Sequence, residues 1–204
     1  MFIIVADGSE NFCKSGQPSA GCSLFCCLKT AFVVAKVILL VLRRKEMRLA
    51  LFQPDIPQNT GTLLRLGACV DVELDIIEPC GFVFSEKALK RAGMDYLDLV
   101  RYRRHDCWED FLHYRTEHPE EYGRLVLLTT HASEPYTEFE FLPNDIILMG
   151  RESAGVPQEV HDMADARLLI PMNEKARSIN VAVSAVMVIG EALRQTNLFP
   201  AVRK

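Results

Sequence analysis

Two polar segments near the C-terminal end contain the residue types best suited to chemistry. The first is 148–157, LMGRESAGVP; the second is 170–172, IPM, followed by 177–180, RSIN. Each begins with an apolar run typical of a buried strand and continues into small, polar and Gly or Pro residues typical of a tight loop. Open α/β sheets bind ligands at such strand ends, so we expect a binding site here.

The polar candidates in and around these segments also have purely structural explanations. Ser178 and Asn180 precede a long helix pattern, where Ser and Asn are preferred N-caps. Glu152 could be a solvated loop carboxylate, as most exposed carboxylates are. Arg65, six residues after Asn59 in another helix pattern, could be an ordinary surface arginine. The residue types alone leave both explanations open.

The glycine pattern argues against two common nucleotide-binding motifs. No GxGxxG follows a predicted strand. Gly150 and Gly155 have the glycine spacing of a Walker A motif, but Val156 stands where its lysine is required. A Rossmann dinucleotide site and a P-loop are therefore both disfavoured.

The elements that position these loops alternate between strand and helix from Met47 onward. This order is typical of an α/β fold with a mainly parallel sheet. No internal repeat or low-complexity linker divides 47–204, so we predict one domain there. The predicted strands are 48–52, 73–77, 97–102, 124–128, 146–149 and 167–170, and the predicted helices are 60–70, 85–92, 107–117, 158–164 and 180–197.

Residues 1–46 differ in composition from the rest of the chain. Their apolar stretch, 24–42, is interrupted by Lys29 and Lys36 and is followed by a basic cluster. That arrangement fits neither a spanning helix nor a cleavable signal peptide. We predict that 1–46 is an extension, a non-native start or a disordered segment, that the function does not need.

The cysteine and charge patterns limit the possible partners. The seven cysteines show no CxxC pair or Cys/His ligand spacing, which argues against a metal site and for a reduced, cytoplasmic setting. The net charge of −4 is the sum of +3 in 1–46 and −7 in the remainder. Nucleic-acid binding draws on phosphate contacts, so an RNA site would have to be a local patch.

One basic patch can be read between residues 87 and 104. It contains six Lys or Arg residues diluted by two Asp, with His105 just beyond. A solvated helix face followed by a strand end explains this pattern equally well. Its RNA-binding candidates are Lys90, Arg91 and Arg103.

The two C-terminal segments, together with 56–61, IPQNTG, and Arg65, resemble the three motifs of the SPOUT superfamily of knotted RNA methyltransferases. Within that superfamily they are similar to the small tRNA (cytidine(34)-2'-O)-methyltransferases. The match runs from Met47 to about Pro200, with the motifs in order and at ordinary spacing. The resemblance is specific because three separated motifs agree.

This resemblance implies a fold, a cofactor and a set of cofactor contacts. The fold is a single-domain SPOUT fold, α/β and mainly parallel, whose C-terminal loops form a trefoil knot. The cofactor is S-adenosyl-L-methionine, held largely by backbone groups. By position in the motifs, its contacts fall at Leu128, Gly150, Ile170 and Ser178. Leu128 and Ile170 could equally be plain core residues.

The resemblance also implies a catalytic set of Asn59, Arg65, Glu152, Ser178 and Asn180. An arginine keeps its proton up to a pH above about 12. We therefore expect Arg65 to orient a ribose 2'-hydroxyl and an adjacent phosphate, with the proton leaving late. Positioning of this kind can supply much of a reaction barrier.

The function implied is a tRNA (cytidine/uridine(34)-2'-O)-methyltransferase acting on leucine tRNAs, as a homodimer without metal or membrane. Ala182, Ala185 and Gly190 could allow close helix packing across a two-fold axis. Gly190 stands where several relatives have Tyr. One alternative is a 2'-O-methyltransferase acting on rRNA or another tRNA position; a second is a non-catalytic RNA-binding protein of the same fold.

Overall fold

Seven strands form one sheet in which every neighbouring pair runs parallel. The computed structural model describes residues 46–85 and 99–202. The strands are β1 (Arg48–Phe52), β2 (Glu73–Ile77), β3 (Tyr102–His105), β4 (Leu125–Leu128), β5 (Glu134–Pro135), β6 (Ile146–Met149) and β7 (Ala166–Leu169).

Three helix ends carry residues that suit their positions. Pro57 occupies the first turn of the first helix, where its missing N–H costs nothing. Asp71 and Asn197 end the first and last helices with φ values of 61° and 56°, a left-handed conformation that Asp and Asn tolerate. The helices are α1 (Pro57–Val70), α2 (Trp108–Glu117), α3 (Gln158–Met163) and α4 (Val181–Thr196).

The strand order is β3-β2-β1-β6-β4-β7-β5. The chain builds one half of the sheet outward from β1 and then builds the other half, returning to pair β6 with β1. In that pairing Leu49 lies opposite Leu74 on one side and Ile147 on the other. The order of the strands thus reverses beside β1, and open α/β sheets bind ligands near such a reversal.

The strand alternation divides the apolar side chains between two cores. Leu49 and Leu51 of β1 belong to a core that includes buried residues of α1 and α4. Ala50 and Phe52 belong to a second core that includes Phe111 of α2 and a buried valine of α3. The sheet is therefore covered by helices on both faces, as expected for a parallel sheet.

A charged cluster is sealed between the first three strands around Asp75, which is 0 % exposed. Arg48 donates from Nε to its Oδ2 at 2.8 Å, while Nε2 of His105 and the hydroxyl of Tyr122 each lie 2.8 Å from its Oδ1. The guanidinium carbon of Arg48 also lies 4.3 Å from the centre of the Tyr122 ring. One carboxylate thus accepts hydrogen bonds from three buried side chains.

The predicted fold class is confirmed, and β1, β2 and β6 have the predicted bounds. The prediction of a strand at 97–102 was wrong within the described residues, because pairing with β2 begins only at Tyr102. Alternating apolar residues suggested the earlier position, yet Leu99 is exposed. The strand instead carries arginines whose guanidinium groups lie over aromatic rings, as with Arg104 over Phe84 at 5.0 Å.

One observed strand was not predicted, and two sequence predictions fall almost wholly outside the described residues. The two-residue strand β5 was not predicted, because two residues are too short to show a periodicity. The helix predicted at 85–92 falls, except for Ser85, outside the described residues. The predicted extension 1–46 does so too, except for Glu46. In the part of the chain that the structure describes, no helix has the length and apolar character needed to cross a bilayer.

Candidate functional site

A cleft of about 1370 Å³ opens where β4, β6 and β7 end. The carboxyl ends of parallel neighbours meet at one edge of the sheet, so the loops after these strands face one another. The start of α1 and the segment leading into α4 complete the wall. The cleft exceeds the roughly 300–1,000 Å³ of an ordinary small-molecule pocket. It therefore has room for a cofactor and part of a second ligand.

The loop after β6 is pinched at its base by two glycines. Arg151 and Gly155 exchange two backbone hydrogen bonds of 2.9 Å each, and Gly155 has a φ of +67°. A Cβ on Gly150 would lie 2.8 Å from the carbonyl carbon of Gly155, a distance that side chains do not reach. The loop shape therefore requires both glycines, and it presents Glu152 to the cleft.

Three side chains from separate segments form a line of hydrogen bonds beside the cleft. Nδ2 of Asn59, in the first turn of α1, donates to Oε1 of Glu152 at 3.0 Å. Nδ2 of Asn180 donates to Oδ1 of Asn59 at 3.0 Å. Because an ionised carboxylate can only accept, Glu152 dictates which way both amides face. The structure thus joins three of the five predicted catalytic residues, and we call this line the cleft chain.

Asn180 caps α4 and belongs to the cleft chain at the same time. Its Oδ1 accepts hydrogen bonds from the backbone N–H groups of Ala182 at 2.9 Å and Val183 at 3.3 Å. These are amides that the start of a helix leaves without a helical partner. Capping fixes the oxygen and leaves Nδ2 for Asn59, so the structural and functional explanations of Asn180 are compatible.

The four predicted cofactor residues, Leu128, Gly150, Ile170 and Ser178, all line the cleft. Leu128 ends β4 and Ile170 follows β7, and both are half-buried, so they offer aliphatic surface to the cleft. Ser178 is exposed in the loop before α4. The structure brings the four together, and their individual roles stay predictions.

Arg65 lies apart from the other predicted catalytic residues. It is exposed on α1 and is not among the residues that line the cleft. Six residues correspond to about one and two-thirds turns of an α-helix, so Arg65 and Asn59 face different sides of α1. Arg65 therefore lies outside the cleft of its own chain, and its catalytic role stays a prediction.

The structure also brings together three residues to which the sequence reasoning gave no role. Asp55 accepts a hydrogen bond from Nη2 of Arg151 at 2.9 Å and from the backbone N–H of Ser153 at 3.2 Å. The Ser153 hydroxyl donates to the same carboxylate. These hydrogen bonds, that of the Ser153 hydroxyl foremost, hold the pKa of Asp55 below its ordinary value. The only feature of the sequence that could have indicated these residues is their position within or next to the motifs.

The predicted RNA-binding patch is only partly described. Lys90 and Arg91 lie outside the described residues. The guanidinium carbon of Arg103 lies 4.0 Å from the centre of the Tyr114 ring, so this group already packs against a ring of the same chain. His105, which follows the patch in sequence, is 1 % exposed and is held in the core by the Asp75 carboxylate.

Helix α4 has a second apolar face that points away from the core. Val183, Val186 and Met187 are exposed, and a Cβ added at Gly190 would meet no other atom within 4 Å. These positions follow the i, i+3, i+4, i+7 spacing of one helix face. Ala182 and Ala185, which were expected with Gly190 to allow close helix packing across a two-fold axis, are instead buried in the core with α1.

Within 46–85 and 99–202, no group of three or more His, Cys, Asp or Glu side chains is placed to hold a metal ion.

Comparison with known proteins points in one direction. The model of the SpoU rRNA Methylase family matches residues 46–190. A tRNA (cytidine(34)-2'-O)-methyltransferase from Beijerinckia indica is 60% identical over 147 residues, which cover 72% of this chain and 90% of that protein.

Two solved structures are similar in sequence and shape. One, described as giving structural insights into the 2'-OH methylation of C/U34 on tRNA, is 36% identical with a TM-score of 0.68, and covers 74% of this chain and 96% of its own. The other, an AdoMet-bound rRNA methyltransferase from Sinorhizobium meliloti, is 25% identical with a TM-score of 0.65, and covers 74% and 57% respectively.

Proposed function

This chain belongs to the SpoU rRNA Methylase family, and from that premise we propose that it is an S-adenosyl-L-methionine-dependent tRNA (cytidine/uridine(34)-2'-O)-methyltransferase. It transfers a methyl group to the 2'-hydroxyl of the wobble ribose. The names of the relative at 60% identity and of the solved structure at 36% identity support the substrate. We extend the proposal to leucine tRNAs and to the cytoplasm as the place of the reaction.

The cleft chain is the observation that carries this proposal. It connects a residue of each of the three predicted motifs, Asn59, Glu152 and Asn180, although 93 and 121 residues separate the bonded pairs. The chain borders the same cleft that the four predicted cofactor residues line. Residues that the motifs selected independently of one another therefore meet at one place.

The cleft suits S-adenosylmethionine in size and in chemistry. Leu128 and Ile170 supply aliphatic surface for an adenine, and the pinched glycine loop leaves backbone close to the cleft. Small-molecule sites commonly combine such apolar walls with a few fixed polar groups. The trefoil knot that the resemblance implies stays a prediction, as do the individual cofactor contacts.

The reaction needs an oxygen in line with a methyl group rather than a metal or an oxidant. S-adenosylmethionine, when bound, supplies a methyl group on a sulfonium sulfur. Methyl transfer would form an O–C bond at the ribose 2'-oxygen, break the C–S bond to leave S-adenosyl-L-homocysteine, and release the hydroxyl proton to water. This chain contributes positioning: the cleft chain holds its amides in fixed directions, and such orientation can supply several kcal/mol of a barrier.

The length of the match favours tRNA over rRNA as substrate. This chain covers 96% of the structure described for C/U34 of tRNA but only 57% of the rRNA methyltransferase. The latter thus contains a substantial additional part that has no counterpart in the match. The match to the structure described for tRNA spans nearly all of that protein, which supports tRNA as the substrate.

A homodimer completes the proposal. The exposed face of α4 formed by Val183, Val186, Met187 and Gly190 is apolar and has no covering element among the described residues. A second copy presenting the same face across a two-fold axis would bury it, and two-fold dimers are the commonest oligomers. Size measurement in solution should give twice the chain mass, and Val186→Glu should give the single mass.

The catalytic role of Arg65 is tested by separating activity from stability. We expect Arg65→Ala to lower turnover by about 100-fold or more, because orientation of the 2'-hydroxyl is lost. The melting temperature should hardly change, since Arg65 is exposed on α1. If turnover and melting temperature fall together, Arg65 is a structural residue.

We further propose that 1–46 is dispensable for this activity. The family match begins at residue 46, and all the motif residues of the proposed site lie after that point. A protein starting at Met47 should stay dimeric and as active as the full chain. If it binds S-adenosylmethionine but no longer methylates tRNA, the extension is an RNA-binding arm and the proposal is wrong.

The proposed function itself is tested by mapping ribose methylation. Total tRNA from cells with and without this gene should differ at nucleotide 34 of leucine tRNAs. A difference in rRNA, or at another tRNA position, would support the alternative methyltransferase reaction. If methylation is unchanged at every position, the result would support the non-catalytic alternative.

A further inference from the structure

Asp55 contacts three consecutive residues that are almost 100 positions away in sequence. Its backbone N–H donates to Oε2 of Glu152 at 2.8 Å. Its carboxylate accepts from Nη2 of Arg151 at 2.9 Å through Oδ1, and from the backbone N–H of Ser153 at 3.2 Å through Oδ2. One residue therefore holds the loop before, at and after Glu152.

These contacts leave little freedom to the Glu152 carboxylate. Its Oε2 is held by Asp55 and its Oε1 by Asn59, so both oxygens already have a donor. The side chains of Asp55 and Arg151 are 18 % and 37 % exposed, so water screens their ion pair only in part. Hydrogen bonds with an ionised partner are about twice as strong as neutral ones.

We propose that Asp55 is a positioning residue for methyl transfer, which clamps the loop on both sides of Glu152 and thereby fixes the direction of the cleft chain. The inference rests on the proposed function, since it assigns Asp55 a part in that reaction. Asp55 does not line the cleft itself and acts through Glu152. Misplacement of a reactive group by about 1 Å can cost a hundredfold in rate, which is the scale of effect available to such a clamp.

A substitution at Gly81, outside the cleft, can test the position of Asp55 independently. Its backbone N–H donates to the carbonyl of Pro54 at 2.9 Å. A Cβ at this position would lie 3.0 Å from both Cα and Oδ1 of Asp55. Gly81→Ala should therefore displace Asp55 without removing any hydrogen-bonding group, and we expect a fall in kcat of about threefold to fivefold.

The main test is a double-mutant cycle between Asp55→Asn and Glu152→Gln. Asp55→Asn keeps the shape but removes the charge that Arg151 and Ser153 bind, and we expect kcat to fall about tenfold at saturating tRNA and cofactor. If Asp55 acts through Glu152, the same change should cost less than about twofold in the Glu152→Gln protein. Residues in one hydrogen-bond network show such non-additivity.

Asp165→Asn is the matched control. Asp165 also accepts from an arginine, Arg115 at 2.6 Å, and from a backbone N–H, that of Leu125 at 2.7 Å. It neither lines the cleft nor contacts Glu152. Loss of its charge should lower the melting temperature about as much as Asp55→Asn does, and should leave kcat unchanged.

Amide hydrogen exchange tests the clamp by a measurement that does not depend on methyl transfer. The N–H of Ser153 should exchange faster in Asp55→Asn and at the wild-type rate in Asp165→Asn. Unchanged exchange at Ser153, or a tenfold fall in kcat in both Glu152 backgrounds, would overturn the inference. If the wild-type protein methylates no tRNA, the proposed function fails, while exchange at Ser153 still decides whether the clamp exists.

Discussion

Two polar clusters in this chain use similar chemistry in opposite surroundings. In the sealed cluster, Asp75 accepts hydrogen bonds from Arg48, His105 and Tyr122, and all four residues are buried. In the cleft chain, a carboxylate also accepts from neighbouring groups, but it stands at the edge of a large cleft. Each cluster joins segments that are distant in sequence.

The comparison shows how surroundings separate stability from function. A buried charge is costly unless it is paired, so every group of the sealed cluster depends on the others for its place in the core. The groups of the cleft chain border the cleft, and fixing their direction serves a ligand. We therefore expect mutations in the sealed cluster to change the free energy of unfolding, and mutations in the cleft chain to change turnover.

The largest effect should come from Asp75→Ala. It leaves the Arg48 guanidinium buried without its main counter-charge, and breaking a buried ion pair in this way costs about 3–5 kcal/mol. Urea unfolding followed by circular dichroism should show that loss, with methyl transfer per folded molecule little changed. A loss below about 1 kcal/mol would mean that the sealed cluster contributes little to stability.

The converse result is expected for Asn59→Asp. The new carboxylate would face Oε1 of Glu152 across a contact that is now a 3.0 Å hydrogen bond. We expect kcat to fall about 100-fold through lost orientation, with a smaller change in melting temperature than that of Asp75→Ala. Asn197→Asp, at the left-handed end of α4, is the control and should leave kcat unchanged. Collapse of the fold in Asn59→Asp would erase the distinction between the clusters.

Acid should weaken the sealed cluster specifically. Burial alone would raise the pKa of Asp75, but the hydrogen bond from His105 and the charge of Arg48 outweigh it and lower the pKa. A lowered folded-state pKa stabilises the protein above the unfolded value of about 3.9, and that stability is lost as the pH falls toward the folded-state pKa. When the free energy of unfolding is measured from pH 6 downward, it should begin to decrease at about pH 4. Asp75→Asn should flatten that part of the plot of unfolding free energy against pH.

Tyr122→Phe should give the smallest effect. The substitution removes the hydroxyl that donates to Asp75 at 2.8 Å and keeps the ring beneath Arg48. Loss of one such hydrogen bond costs about 1–3 kcal/mol when the remaining acceptor is buried, and about 1 kcal/mol here because Asp75 keeps two other donors. Chemical unfolding measures this loss. Any fall in kcat beyond twofold would connect the sealed cluster to the reaction.

The sequence predicted best the strands that are mostly apolar. β1 and β6 are continuous buried runs, and their bounds followed from periodicity. β3 could not be located in the same way, because its arginines are accommodated by rings from elsewhere in the chain, such as Tyr114 under Arg103. No local pattern reports a partner that arrives through tertiary packing.

In both clusters, the hydrogen bonds between residues that are distant in sequence could not be predicted. Glu152, Asn59 and Asn180 were predicted because they belong to motifs, yet the hydrogen bonds that join them were not. The partners of Asp75 lie 27, 30 and 47 residues away, and nothing in its strand sequence marks it as paired. Asp55 was missed for the same reason, since 97 residues separate it from Glu152.

The central claim is that the cleft chain serves methyl transfer to the wobble ribose. The direct measurement is nucleoside mass spectrometry of unmodified leucine tRNA after incubation with the purified protein and S-adenosylmethionine carrying a deuterated methyl group. We predict one labelled 2'-O-methyl group at nucleotide 34, about 100-fold slower formation with Asn59→Asp, and an unchanged rate per folded molecule with Tyr122→Phe. Label absent from nucleotide 34, or an equal loss in both variants, would contradict the account.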